Sequence, residues 1–158
     1  MRGAFVVLAA IISAASPLQA QPALLDARAA EAILHGCVTQ ATAKKQSHAI
    51  AVVDLGGHLV AGLRMDGNGS GIMDFAVAKA EAVAHWGFST AQMAQAAKET
   101  PGFANAPHVV TVAGGVPIWS GDGKTRIGAV GASGEAPADD AACAEAGIRA
   151  AGFRSSRS

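Results

Sequence analysis

The stretch Ile50–Asp66, IAVVDLGGHLVAGLRMD, decides the fold, because it holds two short apolar runs joined by a glycine pair. Ala49–Asp54 and His58–Arg64 are rich in Val, Ala and Leu, which favours β-strands. The link Leu55–Gly57 contains two consecutive glycines, which is typical of a hairpin turn. The sequence therefore predicts a pair of antiparallel strands here.

The rest of the chain adds strands and helices around this hairpin. Three more short apolar runs are strand candidates: Val109–Ala113, Val116–Trp119 and Arg126–Ala132. Helical periodicity predicts four helices: Leu24–Lys45, Ile72–Trp86, Ala91–Lys98 and Pro137–Phe153. This order of elements predicts an α+β fold, with a central antiparallel sheet of about five strands and helices packed on it.

Residues 1–20 have the pattern of a secretory signal peptide. The apolar run Ala4–Ala15 is shorter than the roughly 20 residues that a membrane span needs, and small residues precede a cut after Ala20. An uncleaved anchor helix is the alternative. The prediction is a periplasmic or secreted protein with no membrane association after cleavage. It would consist of one domain over residues 21–153 and a flexible tail over residues 154–158.

Charge and composition narrow the range of partners. The 158 residues contain 12 Lys and Arg against 12 Asp and Glu, so the formal net charge is zero. Proteins that bind nucleic acid usually carry a basic face for the phosphates. We therefore expect no nucleic-acid partner.

Lys79 is the residue with the clearest chemical signal. It lies in the middle of an apolar stripe on the predicted helix Ile72–Trp86, where an unpaired ammonium group is costly. One interpretation is a lysine at a pocket wall that binds an anion or is chemically activated. The other is a structural ion pair with Asp54 or Asp66, or a side chain that extends to the surface.

Arg64 and Asp66 are candidate ligand-binding residues. They close the second predicted strand, beside the glycine-rich loop Gly67–Gly71. Loops next to rigid strands often carry binding groups. An internal pair between Arg64 and Asp66 is the alternative.

The five histidines form no metal-binding motif of fixed spacing. His35 and His85 are predicted to face solvent from the polar sides of their helices. His58 follows the Gly-Gly turn and His108 precedes a strand candidate. Neutral imidazole is a good ligand for a metal or a heme iron, and a heme needs only one or two axial ligands. His58, His85 and His108 are therefore candidate ligands of a heme iron.

Cys37 and Cys143 are the only cysteines. Cys143 lies on the apolar side of the last predicted helix, and Cys37 lies at the border of the apolar side of the first. If both helices cover the same face of the sheet, the thiols can meet, and an oxidising compartment permits the bond. We predict a disulfide, with two buried free cysteines as the alternative.

Together these motifs resemble the GlcG/HbpS family, also known as the heme-degrading or DUF336 domain. The resemblance covers about Leu24 to Phe153. The segments that carry it are Val52–Asp54, Gly56–Val60, Arg64–Asp66, Lys79-Ala80, Thr90, Gly114–Ile118 and Ile127–Gly134. The chain departs from the family pattern in the glycine-rich loop Gly67–Gly71. It also departs at His85-Trp86, where small or apolar residues are expected.

The resemblance implies a profilin-like α/β sandwich that assembles as a homo-oligomer. Some exported members of the family bind heme and act as heme sensors or heme-handling proteins. The expected ligand is accordingly heme, or another small anionic molecule. Gly114 and Gly115 lie in one of the matching segments and are candidate ligand-binding positions.

Three hypotheses about function follow. The first is an exported heme-binding protein, with possible slow heme degradation, whose porphyrin lies in a cleft between the sheet and the helix Ile72–Trp86. Lys79 or Arg64 would then meet a propionate. The second is an enzyme acting on a small organic acid, with Lys79 as general base or anion anchor. The third is a structural or sensory partner protein without a ligand.

Overall fold

The sheet has four antiparallel strands in the order β2-β1-β4-β3. We describe a computed structural model, which covers residues 25–158; the predicted signal peptide lies outside the described residues. The strands are β1 Ala49–Val53, β2 Leu59–Arg64, β3 Gly115–Trp119 and β4 Arg126–Ser133. Strands β1 and β2 form the predicted hairpin.

Helices cover both faces of this sheet. They are α1 Ala27–Ala43, α2 Ser70–Trp86, α3 Thr90–Glu99 and α4 Pro137–Ala150, with a 3-10 turn at Phe103–Asn105. Helices α1 and α4 share one apolar core with the sheet, and α2 and α3 share the other. The prediction of an α+β sandwich is confirmed. None of the helices within residues 25–158 has both the length and the apolar character that crossing a membrane requires.

The central strand β1 supplies both cores because its side chains alternate between the two faces. Ile50 and Val52 point to the α1–α4 side, whereas Ala49, Ala51 and Val53 point to the α2 side. All five residues are fully buried. The smaller alanines therefore face α2, which lets that helix lie close to the sheet.

Gly131 in β4 brings α2 into direct contact with the strand. A Cβ atom at Gly131 would overlap the carbonyl oxygen of Ala76 and lie 2.7 Å from the backbone nitrogen of Ala80. Helix and strand therefore touch through their backbones. The predicted cleft between the sheet and this helix is wrong at this position, because the glycine allows the helix to fill that space.

The predicted strand Val109–Ala113 is also wrong, and the sheet has four strands rather than five. His108 adopts a left-handed backbone conformation with φ of 60°, which interrupts an extended chain just before the segment. Val109 and Val110 instead pack half-buried against the α2-side core. Their apolar character thus reflects burial of a loop and not strand pairing.

Helices α1 and α4 end in the same backbone motif. After α1, the N–H of Lys45 bonds to Thr42 and that of Gln46 to Ala41. After α4, the N–H of Gly152 and that of Phe153 make the equivalent bonds. This motif needs a left-handed residue, for which glycine is favoured. α4 uses Gly152 with φ of 81°, whereas α1 uses Lys45 with φ of 58°.

Cys37 and Cys143 form a disulfide between α1 and α4, so this prediction is confirmed. Cys37 is fully buried rather than at the border of the apolar side.

Beyond α4, the predicted flexible tail returns to the sheet. Arg154 pairs with Trp119 at the end of β3, and the N–H of Ser158 bonds to Gly123.

Candidate functional site

Lys79 lies in the interior and its charge is balanced there. The residue is 0% exposed, and its Nζ donates to Oδ2 of Asp140 at 2.9 Å and to the carbonyl of Ala132 at 2.9 Å. The Nζ also lies 4.8 Å from the centre of the Phe75 ring. An ammonium group with these partners is satisfied inside the protein.

Asp140 connects Lys79 to a buried histidine. Its Oδ1 accepts from Nδ1 of His48 at 3.1 Å and from the backbone N–H of Glu135 at 3.1 Å. Both His48 and Asp140 are almost completely buried. Lys79, Asp140 and His48 therefore form one buried hydrogen-bonded network, which links α2, α4 and the residue before β1.

The predicted partners of Lys79, Asp54 and Asp66, are wrong. The sequence does hold a sign of the true partner. Asp140 lies in the buried stripe of α4, three residues before Cys143, just as Lys79 lies in the apolar stripe of α2. Two opposite charges that each lie within a buried apolar stripe are expected to pair, because a buried charge without a partner is costly.

Gly114 and Gly115 lie beside Lys79. A Cβ atom at Gly114 would lie 2.7 Å from the Lys79 Nζ, and the N–H of Gly115 donates to Oγ1 of Thr90 at 2.9 Å. Both glycines are buried. They make room for the buried network, and three of the predicted ligand-binding residues thus come together in the interior.

His85 and His108 meet on the surface. Their rings stack with centroids 4.1 Å apart and planes 2° from parallel. The next residue along α2, Trp86, donates from Nε1 to the carbonyl of Pro107 at 3.0 Å. The dipeptide His85-Trp86, unexpected in the family pattern, therefore packs against the dipeptide Pro107-His108 of the loop.

His58 lies on the turn between β1 and β2. Its side chain is 82% exposed, and its Nδ1 lies 3.2 Å from Oδ1 of Asp54. The backbone N–H groups of His58 and Gly56 also donate to Asp54, and they hold the pKa of that carboxyl below its usual value. At the preceding residue, a Cβ atom on Gly57 would lie 3.2 Å from Cε1 of His85.

In two of these imidazoles a hydrogen bond at Nδ1 fixes the tautomer and leaves Nε2 free. Since the Asp54 carboxylate and the Glu81 carbonyl only accept, Nδ1 of His58 and Nδ1 of His85 must be the donors, the latter at 2.7 Å. In the neutral form, Nε2 of each ring then carries the lone pair that a metal uses. We call the surface formed by Asp54–Leu59, His85-Trp86 and Pro107-His108 the histidine face.

Apolar side chains accompany these imidazoles. Leu55 and Leu59 are 50% and 55% exposed, and Trp86 is 36% exposed. On the α1–α4 side of the sheet, the same turn borders a groove of about 480 Å³, lined in part by Leu25, Leu55 and Ile127. Imidazole nitrogens beside exposed apolar groups suit a heme, whose ring is apolar and whose iron takes nitrogen ligands.

Arg64 and Asp66 lie elsewhere, at the far end of β2. They line a groove of about 560 Å³ together with Lys45, Leu63 and Met65. The predicted Arg64–Asp66 ion pair does not occur among the described residues. Lys79 lines neither this groove nor the one under the β1–β2 turn.

No group of three or more His, Cys, Asp or Glu side chains gathers as a metal site within residues 25–158. A metal held by protein side chains alone is therefore not indicated in that part of the chain. A heme iron differs in this respect, because the porphyrin supplies four ligands and the protein adds only one or two.

A family model and several solved structures match this chain. The model of the family described as "Haem degrading protein HbpS-like" matches residues 25–149. No curated protein sequence matches the chain. A solved structure of a double mutant of HbpS from Streptomyces reticuli is 26% identical, with a TM-score of 0.73 over 90% of this chain and 97% of the other.

Two further solved structures share the fold. PduOC, crystallised as a heme complex, is 21% identical with a TM-score of 0.77, over 85% of this chain and 100% of PduOC. The protein ORFY of Klebsiella pneumoniae, described as DUF336, is 22% identical with a TM-score of 0.74, over 87% of this chain and 97% of ORFY. At these identities the likeness concerns the fold alone.

Proposed function

The chain belongs to the HbpS-like family of haem degrading proteins, and from this premise we propose that it binds heme on the histidine face. One observation carries the proposal. His85 and His108 stack on the surface, and the turn that carries the exposed His58 approaches this pair, since a Cβ atom on the neighbouring Gly57 would lie 3.2 Å from Cε1 of His85. The heme complex of PduOC, which has the same fold, supports heme as the ligand.

We assign His58 as the ligand of the heme iron. Its side chain is exposed, its Nδ1 is held by the Asp54 carboxylate, and its Nε2 is free. A carboxylate behind a ligating histidine fixes the ring and makes it a better ligand. Leu55 and Leu59 would contact the porphyrin edge. Heme, when bound, supplies an iron centre for electron transfer or oxygen chemistry.

The stacked pair His85 and His108 would form the wall beside His58. Its geometry is fixed by the bond from Trp86 to Pro107, so the loop is held against α2. A preformed wall reduces the ordering cost of binding. The histidine pair is therefore expected to tune affinity, with His58 supplying the ligand atom.

Hemin titration of variants tests the assignment. We expect the unmodified protein to give a saturable change in the Soret band. His58→Ala should weaken binding at least about tenfold, since even loss of a group behind a ligand costs about 10–100-fold. Asp54→Asn should have an intermediate effect. His35→Ala is the matched control, because His35 is exposed on α1, away from the histidine face.

Equal affinity in His58→Ala and His35→Ala would reject His58 as the ligand. Unchanged binding in the triple variant lacking His58, His85 and His108 would reject the whole face. Circular dichroism of each variant checks that the fold is retained. All three positions are exposed, so their replacement is expected to leave the core intact.

We also propose that the protein is exported, in the periplasm or outside the cell, and that it works as a homo-oligomer. The signal-peptide pattern supports export, and so does the disulfide, since such bonds persist in oxidising compartments. Recovery of a mature chain beginning at Gln21 would support this, and recovery of an uncleaved chain with free thiols would contradict it. The native mass tests the oligomer.

A further inference from the structure

The two edges of the sheet differ in how their backbone groups are used. In an antiparallel sheet, alternate residues of an edge strand turn their N–H and C=O groups away from the neighbouring strand. Such groups form a template on which another strand can pair, so proteins usually protect them. The edge strands here are β3 on one side and β2 on the other.

The outward N–H groups of β3 are already used. The register with β4 turns the backbone groups of Gly115, Pro117 and Trp119 outward. The N–H of Gly115 donates to Oγ1 of Thr90 at 2.9 Å, and proline at position 117 has no N–H to offer. Trp119 exchanges two backbone bonds with Arg154 of the C-terminal tail, at 2.8 and 3.0 Å. This edge is therefore closed to a further strand.

The edge at β2 is open by the same criterion. The N–H of Met65 donates to the carbonyl of His48, so the alternate residues Gly62 and Arg64 turn their backbone groups away from β1. Within residues 25–158, these outward groups have no backbone partner. Both residues are exposed, and the irregularity in the β1–β2 register lies towards Leu59, outside this segment. Two residues of a regular strand are thus free to pair.

We propose that a second copy of the chain pairs with this edge, β2 against β2 in antiparallel orientation, about a two-fold axis at Leu63. The inference rests on the proposed homo-oligomer and names the surface that forms it. In this register Gly62 exchanges both backbone bonds with Arg64 of the partner subunit, and Arg64 does so with Gly62 of the partner subunit. Two sheets of four strands then join into one continuous sheet.

The apolar side chains of β2 favour this register. Ala61, Leu63 and Met65 are half-buried and pack at the rim of the α1–α4 core. About the proposed axis, Leu63 faces Leu63 of the partner subunit, and Met65 faces Ala61 of the partner subunit. Cross-strand apolar pairs of this kind stabilise a sheet. The rims of the two cores would therefore meet and cover each other.

The charged side chain of β2 is also compatible with a second copy. Like charges directly opposite each other destabilise a strand pair, but here glycine lies opposite arginine. Nη1 of Arg64 donates to the carbonyl of Asn68, which lies beyond the C-terminal end of β2. Because the paired strands run in opposite directions, the two guanidinium groups lean away from each other.

Disulfide trapping tests the position of the axis. Leu63→Cys should form a disulfide-linked dimer, because residues of a pair without mutual hydrogen bonds have Cα atoms about 4.5 Å apart, within the range of a disulfide. Leu59→Cys is the matched control. Leu59 is on the same strand and is 55% exposed, but strand length places it roughly 26 Å from Leu59 of the partner subunit. It should not cross-link. The native cysteines are joined to each other and do not interfere.

Gly62→Pro tests the backbone pairing. Proline removes the outward N–H and is tolerated on an edge strand, so two bonds are lost for each pair of copies. The dissociation constant of the oligomer should rise at least about tenfold. Gly62→Ala is the control, since it keeps the N–H and its Cβ meets only the end of the Met73 side chain, at 2.7 Å. Circular dichroism checks the fold of both variants.

The native mass of the unmodified protein separates this inference from the proposed homo-oligomer. A monomeric mass would overturn both. An oligomer in which Leu63→Cys cross-links no faster than Leu59→Cys would overturn the paired edge and leave the oligomer standing. Equal dissociation constants for Gly62→Pro and Gly62→Ala would have the same meaning.

Discussion

Replacing Asp140 with asparagine is expected to lower the free energy of unfolding by about 3–5 kcal/mol, a large effect for a single substitution. The reason is the buried position of Lys79, whose ammonium group has Asp140 as its ionised partner at 2.9 Å. Asparagine keeps the size of the side chain but removes the charge. The ammonium group is then left buried without an anion, which is costly.

Asp139→Asn is the matched control for this substitution. Asp139 is the preceding residue, is partly exposed, and lies 3.4 Å from Lys44, also exposed. Surface ion pairs contribute little to stability. Urea unfolding followed by circular dichroism should therefore show a large shift for Asp140→Asn and almost none for Asp139→Asn.

A double variant sharpens the interpretation. Lys79→Met combined with Asp140→Asn removes the cation as well as the anion, so it should be more stable than Asp140→Asn alone. His48 and Glu135 would still lose part of their hydrogen bonding to Asp140. Equal unfolding midpoints for Asp140→Asn and Asp139→Asn would contradict the role of the buried network.

Removing the disulfide is the second large effect. Cys37 and Cys143 are 106 positions apart, and the bond is fully buried between α1 and α4. By the chain-entropy argument, closing a loop of this length stabilises the folded state by about 4–5 kcal/mol. The variant with both cysteines replaced by alanine should lose an amount of this order in urea unfolding.

Reductant provides the control for the disulfide. Unfolding in dithiothreitol should lower the midpoint of the unmodified protein towards that of the Cys37→Ala, Cys143→Ala variant. The variant itself should not respond to dithiothreitol. An unmodified protein with the same midpoint in both conditions would show that the bond does not contribute to stability.

The fold was largely predictable, because its elements have clear local signals. The glycine pair between two apolar runs predicted the β1–β2 hairpin, and alternation along β1 matches its burial on both faces. The segment Val109–Ala113 was misjudged because apolar residues in a short run do not distinguish a strand from a buried loop. The left-handed backbone at His108 has no signal in the sequence.

The candidate site was predictable only in part. Periodicity places Lys79 in an apolar stripe, and in the structure its side chain does point inward. Its partner was missed because periodicity locates a residue on its own helix and does not say which helices face each other. Asp140 lies in the stripe of α4 in the same way, so a search for charges within apolar stripes would have found both.

The grouping of the histidines lies beyond sequence reasoning. His85 comes from the end of α2 and His108 from a loop, and the approach of this pair to the turn that carries His58 depends on how α2 lies along the sheet. That position depends in turn on Gly131, which lets α2 touch β4. A long-range arrangement of this kind has no local pattern from which it could be inferred.

Paramagnetic broadening by hemin tests the proposed heme site most directly. The iron of hemin broadens nearby amide resonances, and zinc protoporphyrin gives the diamagnetic reference. We expect hemin to remove the signals of residues 54–59, 85–86 and 108, while those of residues 42–47 and 63–66 persist. Broadening centred on residues 42–47 and 63–66, with the histidine face unaffected, would contradict the account.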